Sequence, residues 1–178
     1  MSDQRASEVA AVPERFVVRP WIDPVVEARG VPVGSIYTET VLLPILGPST
    51  LLCLRRLGAL AAARPDGAEV DTRQLARDLG LGDALARHSQ MTKTLGRLCQ
   101  FNMARWSGTE LAVRTAVAPL PEHQLRRLSP ELVGLHHCML RHADSHASSS
   151  AGRASQRHSV TYPQPSPEPV VHAGSVAL

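Results

Sequence analysis

The chain has 178 residues and a formal net charge of +3, which results from 19 basic and 16 acidic side chains. That length suffices for one domain with tails. Because aromatic residues make up only 3% of the sequence, a core must consist mainly of Leu, Val and Ala. Residues 49–120 carry ten basic and six acidic side chains, whereas residues 1–48 carry four and six. The positive charge therefore lies in the middle of the chain, where it favours a polyanionic partner.

Several function classes are disfavoured because their motifs are missing. No Gly-rich phosphate loop follows a predicted strand, and neither Gly-x-Ser-x-Gly nor His-Glu-x-x-His occurs, so we predict a protein that is not an enzyme and needs no cofactor. The three cysteines include no Cys-x-x-Cys pair, and Cys53 and Cys99 fall on apolar helix faces as core residues. We identify no signal peptide or membrane span, and therefore expect a reduced, cytoplasmic protein without membrane contact.

The N-terminal part of the chain lacks sustained hydrophobic periodicity. Residues 1–34 carry scattered Ser, Glu, Arg and Pro, so we predict a largely disordered arm with short apolar patches at residues 16–18 and 21–22 and one docking segment. Trp21 is expected to pack on the domain itself, and packing on a partner is the alternative. A short helix is predicted from Ser35, with its apolar side chains inward and with Pro44 and Gly47-Pro48 ending it. The inward side chains are Ile36, Leu42 and Leu43. This helix is expected to cover the domain or to form a dimer interface.

Ser49 to Val117 is predicted to fold as helix, strand, helix, turn, helix and hairpin. Ser49 is the candidate cap of the first helix, which the turn residues 64–67 end. Glu69-Val70 is short enough for a single edge strand. Asp71 or Thr72 is expected to cap the second helix, and Gly80 suits the corner of a helix-turn-helix.

The third helix is predicted from about Ser89 to Phe101. On a 3.6-residue wheel, Leu95, Leu98 and Cys99 fall beside Met91 and form an inner face. Donors and positive charge on the opposite face suit a groove lined with phosphates and base-edge acceptors. A solvated amphipathic helix that binds nothing is the alternative. The residues of that opposite face are Ser89, Gln90, Lys93, Gly96, Arg97 and Gln100.

A hairpin is predicted to follow the third helix. Asn102 is a candidate left-handed C-terminal cap, and residues 103–106 and 110–115 are predicted strands joined by a three-residue loop that contains Gly108. Arg105 and Arg114 on these strands are candidate phosphate contacts. Each is alternatively a solvated residue that discourages pairing at a sheet edge.

The C-terminal part contains two predicted helices and a tail. The helices cover residues 122–128 and 130–140, and residues 141–178 form a Ser/Pro/His-rich tail that we expect to be disordered. If the last helix continued, Cys138, His142 and His146 would share one face at a spacing that suits Zn²⁺. A frayed helix end with ordinary histidines is the favoured alternative, so no metal site is predicted.

Five segments carry a resemblance to known proteins: Leu43–Pro48, Leu79–Gly82, Arg87–Ser89, Thr94–Leu98 and Leu111–Arg114. Across roughly residues 36–140 the chain resembles the winged helix superfamily and, more narrowly, a set of small uncharacterised actinobacterial winged-helix proteins. For the superfamily, the resemblance implies that the third helix docks in the major groove and that the hairpin contacts phosphates. It assigns the first role to Ser89, Gln90, Lys93, Thr94 and Arg97, and the second to Arg105 and Arg114.

Together these patterns predict a fold that is mainly α with a small β-hairpin wing. A winged helix-turn-helix domain with extra flanking helices would cover residues 35–140, between disordered termini at residues 1–34 and 141–178. The predicted function is binding of double-stranded DNA by a transcriptional regulator; the alternative is a winged-helix module that binds proteins without DNA. A homodimer and a protein partner are left open. The predicted DNA contacts are Thr72, Arg73, Ser89, Gln90, Lys93, Thr94, Arg97, Arg105 and Arg114.

Overall fold

The structure, a computed structural model, describes residues 12–83 and 85–141. The predictions of disorder for residues 1–11 and 142–178 lie outside the described residues. The elements in chain order are β1 (Arg15–Pro20), α1 (Pro24–Arg29), β2 (Val31–Pro32), a π-helical segment (Thr38–Leu42) that continues into α2 (Leu43–Leu46), α3 (Pro48–Ala63), β3 (Ala68–Asp71), α4 (Thr72–Asp78), α5 (Gln90–Gln100), β4 (Ala104–Ser107), β5 (Glu110–Val113), β6 (Ala116–Val117), α6 (Glu122–Leu125) and α7 (130–141).

The main sheet has four strands in the order β3-β1-β5-β4, and β1 is therefore an interior strand. It runs antiparallel to β3 and parallel to β5. Phe16 and Val18 are 2% and 0% exposed, and Arg15, Val17 and Arg19 alternate with them on the more accessible face. This alternation is the period of a half-buried strand. The prediction of a largely disordered arm is wrong for residues 12–34, because so short an alternating pattern does not stand out by periodicity.

The helix before α3 buries its side chains in pairs at four-residue intervals. The buried pairs are Tyr37/Thr38, Val41/Leu42 and Ile45/Leu46. Four residues exceed the 3.6 residues of an α-helical turn, so such pairs would drift around a regular α-helix. The wider π-helical segment within this helix offsets that drift. Leu42 is buried as predicted, but Ile36 and Leu43 are 70% and 41% exposed. The predicted inward direction of those two side chains is therefore wrong.

Helix α3 is the central helix of the domain. It packs against β1, β5 and α5 through a face that includes Leu54 and Leu57, both 0% exposed. It begins at Pro48, one residue before the predicted cap Ser49, and its N-cap is Gly47 with φ of +78°. A left-handed φ is a conformation that glycine adopts without steric cost. The chain can therefore turn sharply from α2 into α3 at Gly47.

The fold class is accordingly mixed α/β with a small sheet, whereas the sequence predicted a mainly α fold with a small β-hairpin wing. The predicted hairpin is confirmed as β4 and β5, whose residues pair from Ala104 with Val113 to Ser107 with Glu110. The predicted edge strand is confirmed as β3, and Asp71 caps α4 by accepting a hydrogen bond of 2.9 Å from the Gln74 N–H. The added interior strand ties the hairpin to β3.

Candidate nucleic-acid interface

Helix α5 has one buried face and one polar face, as its sequence predicts. Met91, Leu95 and Leu98 are 0% exposed and pack in the core beside α3. Ser89 is the N-cap, and its hydroxyl accepts a hydrogen bond of 3.1 Å from the Thr92 N–H. The C-terminal end is closed by Asn102, whose φ of +62° is the predicted left-handed conformation. The orientation of α5 is therefore fixed at both ends and along its inner face.

The outer face of α5 presents hydrogen-bond donors and positive charge. Gln90, Lys93, Arg97 and Gln100 are exposed, and no residue of α5 carries a carboxylate. Among the described residues, none of the large apolar side chains that are exposed belongs to α5. Such a surface suits the phosphates and base-edge acceptors of a nucleic-acid groove better than it suits an apolar protein surface.

Arg97 is held by the protein itself. Its guanidinium donates to the carbonyls of Leu46 and Ile45, each at 2.8 Å, and its Cζ lies 5.0 Å from the centre of the Phe101 ring. The last carbonyls of a helix lack intrahelical partners and carry partial negative charge, so a cation there stabilises the end of α2. Arg97 therefore fixes α5 to α2, and this contact was not anticipated from the sequence.

Two predicted contact residues are buried. Thr72 is 0% exposed, and its hydroxyl donates to the Pro13 carbonyl at 2.6 Å. Thr94 is 2% exposed on the inner side of α5. The prediction that these two side chains contact DNA is wrong, because both are enclosed by the protein. For Thr72 the enclosure costs little, since its hydroxyl has a partner. A wheel alone does not reveal this.

The two polar residues at the helix starts have partners within the chain. The Ser89 hydroxyl also lies 2.9 Å from the Thr92 hydroxyl, so it serves mainly as a cap. Arg73 is exposed, and its guanidinium donates to the Asp83 carbonyl at 3.1 Å and to the Glu14 carboxylate at 3.1 Å. Arg73 thus joins the segment after α4 to the start of β1. Neither residue is presented as a free donor, and their DNA contacts remain predictions.

The two hairpin arginines meet at Trp21. Cζ of Arg105 lies 4.5 Å and Cζ of Arg114 lies 4.0 Å from the centre of the Trp21 ring, which are cation–π distances. Arg105 is exposed, whereas the Arg114 side chain is 12% exposed and donates to Asn102 O and Asp23 Oδ2. Arg105 is therefore the hairpin arginine that remains accessible, and Arg114 has a structural role.

Asp23 completes this cluster. Burial acts to raise the pKa of its carboxyl, but hydrogen bonds from the Val26 and Val25 N–H groups and from Arg114 outweigh that effect, so the pKa is lowered. Asp23 also caps α1 through those two N–H groups. The carboxylate thus remains charged and holds Arg114 in place beside Trp21. The predicted docking of Trp21 on the domain is confirmed by these contacts.

The connection between α4 and α5 spans residues 79–89. It is longer than the three or four residues of a simple helix-turn-helix. Gly80 and Gly82 have φ of +67° and +77°, and the Leu81 N–H donates to the Ala76 carbonyl at 2.8 Å. Gly80 therefore follows the end of α4 in the left-handed conformation that a helix C-terminus favours.

The possible zinc ligands do not form a described site. Cys138 is partly buried on α7, while His142 and His146 lie outside the described residues. Within residues 12–83 and 85–141, no group of three or more His, Cys, Asp or Glu side chains is placed to hold a metal ion. Burial raises the pKa of the Cys53 thiol to about 12, so this cysteine is a protonated core residue.

A buried histidine on α7 was missed by the sequence reasoning. His136 is 3% exposed, and its Nδ1 lies 3.0 Å from the Tyr37 hydroxyl, which accepts a hydrogen bond of 3.3 Å from the Leu120 N–H. The Tyr37 hydroxyl and His136 Nδ1 thus share one hydrogen bond, whose donor depends on the tautomer of the imidazole. Burial, followed by the nearby His137, lowers the pKa of His136. This contact fixes α7 against the helix that contains Tyr37.

No protein-family model, curated protein or solved structure matches this chain. In the part of the chain that the structure describes, no helix has the length and apolar character needed to cross a membrane.

Proposed function

We propose that this protein binds double-stranded DNA through the outer face of α5 and acts as a winged-helix type transcriptional regulator. The observation that carries the proposal is the chemistry of that face. Gln90, Lys93 and Gln100 are exposed donors on a helix without carboxylates, and Gly96 lies among them. Amide side chains and a cation in this arrangement are suited to base edges and phosphates in the major groove.

The order of elements around α5 supports the same proposal. α3, β3, α4, α5, β4 and β5 follow one another as the helices and strands of a winged helix do. The hairpin β4–β5 follows α5 directly and carries the exposed Arg105, which supplies a phosphate contact. Arg97 and Arg114 position α5 and the hairpin rather than serving as the main contacts. The interior strand β1 makes this framework more rigid than a hairpin alone would be.

Binding of a mixed-sequence DNA duplex by fluorescence anisotropy tests the proposal. We expect the double variant Q90A/K93A to bind more weakly. The slope of log affinity against log salt should become shallower by about 0.9, because the variant neutralises one phosphate fewer. R126A is the matched control, because Arg126 is an exposed arginine outside α5 and the hairpin, paired with Glu122. Equal binding by the double variant and the wild type would contradict the proposal.

A second candidate function is a winged-helix module that binds another protein. The observation that favours it is the set of exposed apolar side chains on the helices around Gly47, at Ile36, Leu43 and Leu52. These side chains belong to other elements than α5, so the two functions use different surfaces. Failure of DNA binding at low salt, together with binding of a protein other than a second copy of this chain by the wild type and not by L52S, would favour this candidate.

A further inference from the structure

Helix α3 has an outward seam in addition to its buried face. Leu52, Arg55, Ala59 and Ala62 follow one another at intervals of three, four and three residues, which is the spacing of a coiled-coil seam. Leu52 is 54% exposed, and Ala59 and Ala62 are also exposed. The solvent face of a helix normally carries charged side chains. On this seam the one charged side chain is Arg55, and the alanines permit a second helix to approach closely.

The preceding helix extends the same surface. Arg55 forms an ion pair with Glu39 and also donates to the Gly34 carbonyl at 3.2 Å, so α3 and the π-helical segment are joined here. Ile36 precedes Glu39 by three residues, and Leu43 follows it by four; both side chains therefore lie within one helical turn of the ion pair. Leu52 has the same relation to Arg55. We call the surface of Ile36, Glu39, Leu43, Leu52 and Arg55 the α3 patch.

The α3 patch contains half of the exposed large apolar side chains of the described residues: three of the six are Ile36, Leu43 and Leu52. Single exposed apolar side chains are ordinary, but a cluster marks an interaction surface. The patch is also electrically balanced, with one acid and one base at its centre. That balance makes a nucleic acid a poor partner, since a polyanion would require an excess of positive charge.

We propose that the α3 patch is a homodimer interface in which two copies of this chain pack their α3 seams together about a two-fold axis. A two-fold contact brings each patch against itself, so a surface is self-complementary when it carries both charges and apolar side chains. Glu39 and Arg55 of one copy face Arg55 and Glu39 of the other copy. A patch with charge of one sign would instead repel its own copy.

This dimer does not depend on the proposed DNA binding, because it uses no residue of α5 and is tested without nucleic acid. It nevertheless orients two α5 helices, since Arg97 of α5 donates hydrogen bonds to the carbonyls of Ile45 and Leu46 in α2, directly before α3. Two copies related by a two-fold axis would read two half-sites of opposite direction. If the protein forms the dimer but does not bind DNA, the proposed function is overturned and the dimer interface is not.

Sedimentation velocity of the full chain across a wide concentration range tests the interface. The wild type is expected to show a reversible monomer–dimer equilibrium, and the I36S/L52S variant is expected to weaken the dimer by about tenfold or more. L135S is the matched control, because Leu135 is 37% exposed on α7, outside the patch. A wild type that stays monomeric at the highest concentration, or a dimer that I36S/L52S leaves intact, would overturn the proposal.

A charge exchange tests the two-fold geometry and does not rely on removing apolar groups. E39R and R55E each leave the patch with two charges of the same sign, so each variant alone is expected to be monomeric. An equimolar mixture of the two is expected to recover a dimer, because a doubly positive patch then meets a doubly negative one. E69R serves as the control, since Glu69 forms an exposed ion pair with Arg15 at 3.2 Å on β3. Folding of each variant is verified by circular dichroism, and a folded mixture that remains monomeric would overturn the proposal.

Discussion

Two glycines inside helices should respond differently to replacement by alanine. Gly96 lies within α5, and a Cβ built there meets no atom within 4 Å. Gly58 lies within α3, where the same Cβ would lie 2.6 Å from Val33 Cγ2 and 3.2 Å from the Arg114 carbonyl oxygen. Both substitutions gain about 1 kcal/mol of helix propensity. G58A also introduces an overpacking cost of about 1–3 kcal/mol.

G96A is therefore expected to raise the free energy of unfolding by about 1 kcal/mol, whereas G58A is expected to lower it or at best leave it unchanged. Urea denaturation followed by circular dichroism measures both variants, with the midpoint shifting and the slope unchanged. A destabilised G96A would refute the reasoning, because nothing in the structure opposes its Cβ. A stabilised G58A would also refute it, because a Cβ 2.6 Å from a Val33 methyl group must displace that side chain.

G96A also separates stability from function. Gly96 lies between Lys93 and Gln100 along the outer face of α5, and a methyl group there would stand between the helix and a closely approaching groove. Glycine inside a helix is costly, and close approach of a ligand is one reason to retain it. We therefore expect G96A to be more stable than the wild type yet to bind DNA more weakly. Tighter or equal binding would remove this explanation for Gly96.

Three further predictions concern positions outside α5. V18A should lower the unfolding free energy by about 2 kcal/mol because Val18 is 0% exposed in β1, whereas a disordered arm would give no change in urea denaturation. D71A should cost about 1 kcal/mol and D71N much less, measured in the same way, because the Asp71 side-chain oxygen caps α4. Burial, followed by His137, lowers the pKa of His136, so the unfolded chain binds more protons and stability should fall as pH drops below about 6.5; thermal melts should show this dependence flattened in H136Q and retained in H123Q.

The elements with strong local signals were predictable from the sequence. The inner face of α5 was confirmed at Met91, Leu95 and Leu98, because the apolar residues recur at helical spacing over several turns. The left-handed Asn102 was confirmed for a similar reason, since it follows the last apolar turn of α5. The β4–β5 hairpin was confirmed because its two short strands flank a loop with Gly108.

The interior strand β1 was not predictable in the same way. Its partners β3 and β5 come from distant parts of the chain, with Phe16 beside Val70 and Val18 beside Leu111. No turn residue signals such pairings, and the alternation of Phe16 and Val18 with Arg15 and Arg19 covers only a few residues. The burial of Phe16 against the Trp106 ring, with centroids 5.3 Å apart, is likewise a long-range contact.

The candidate site was predictable as a helix face but not in its individual contacts. Lys93 and Gln90 are exposed where the wheel placed them, whereas the role of Arg97 depends on the two α2 carbonyls that the fold brings to it. Arg114 is likewise drawn to Asp23 and Trp21. Long cationic side chains bind carbonyls or carboxylates that the fold places near them, and a sequence pattern does not show where those acceptors lie.

Chemical-shift mapping of the ¹⁵N-labelled protein with a DNA duplex tests most directly whether α5 is the DNA-binding surface. We expect the largest amide shifts on the outer face of α5, at Gln90, Lys93, Gly96 and Gln100, with smaller shifts at Arg105 on the hairpin. Shifts confined to the α3 patch around Leu52, or the absence of shifts on α5 at low salt, would contradict the assignment of DNA binding to α5.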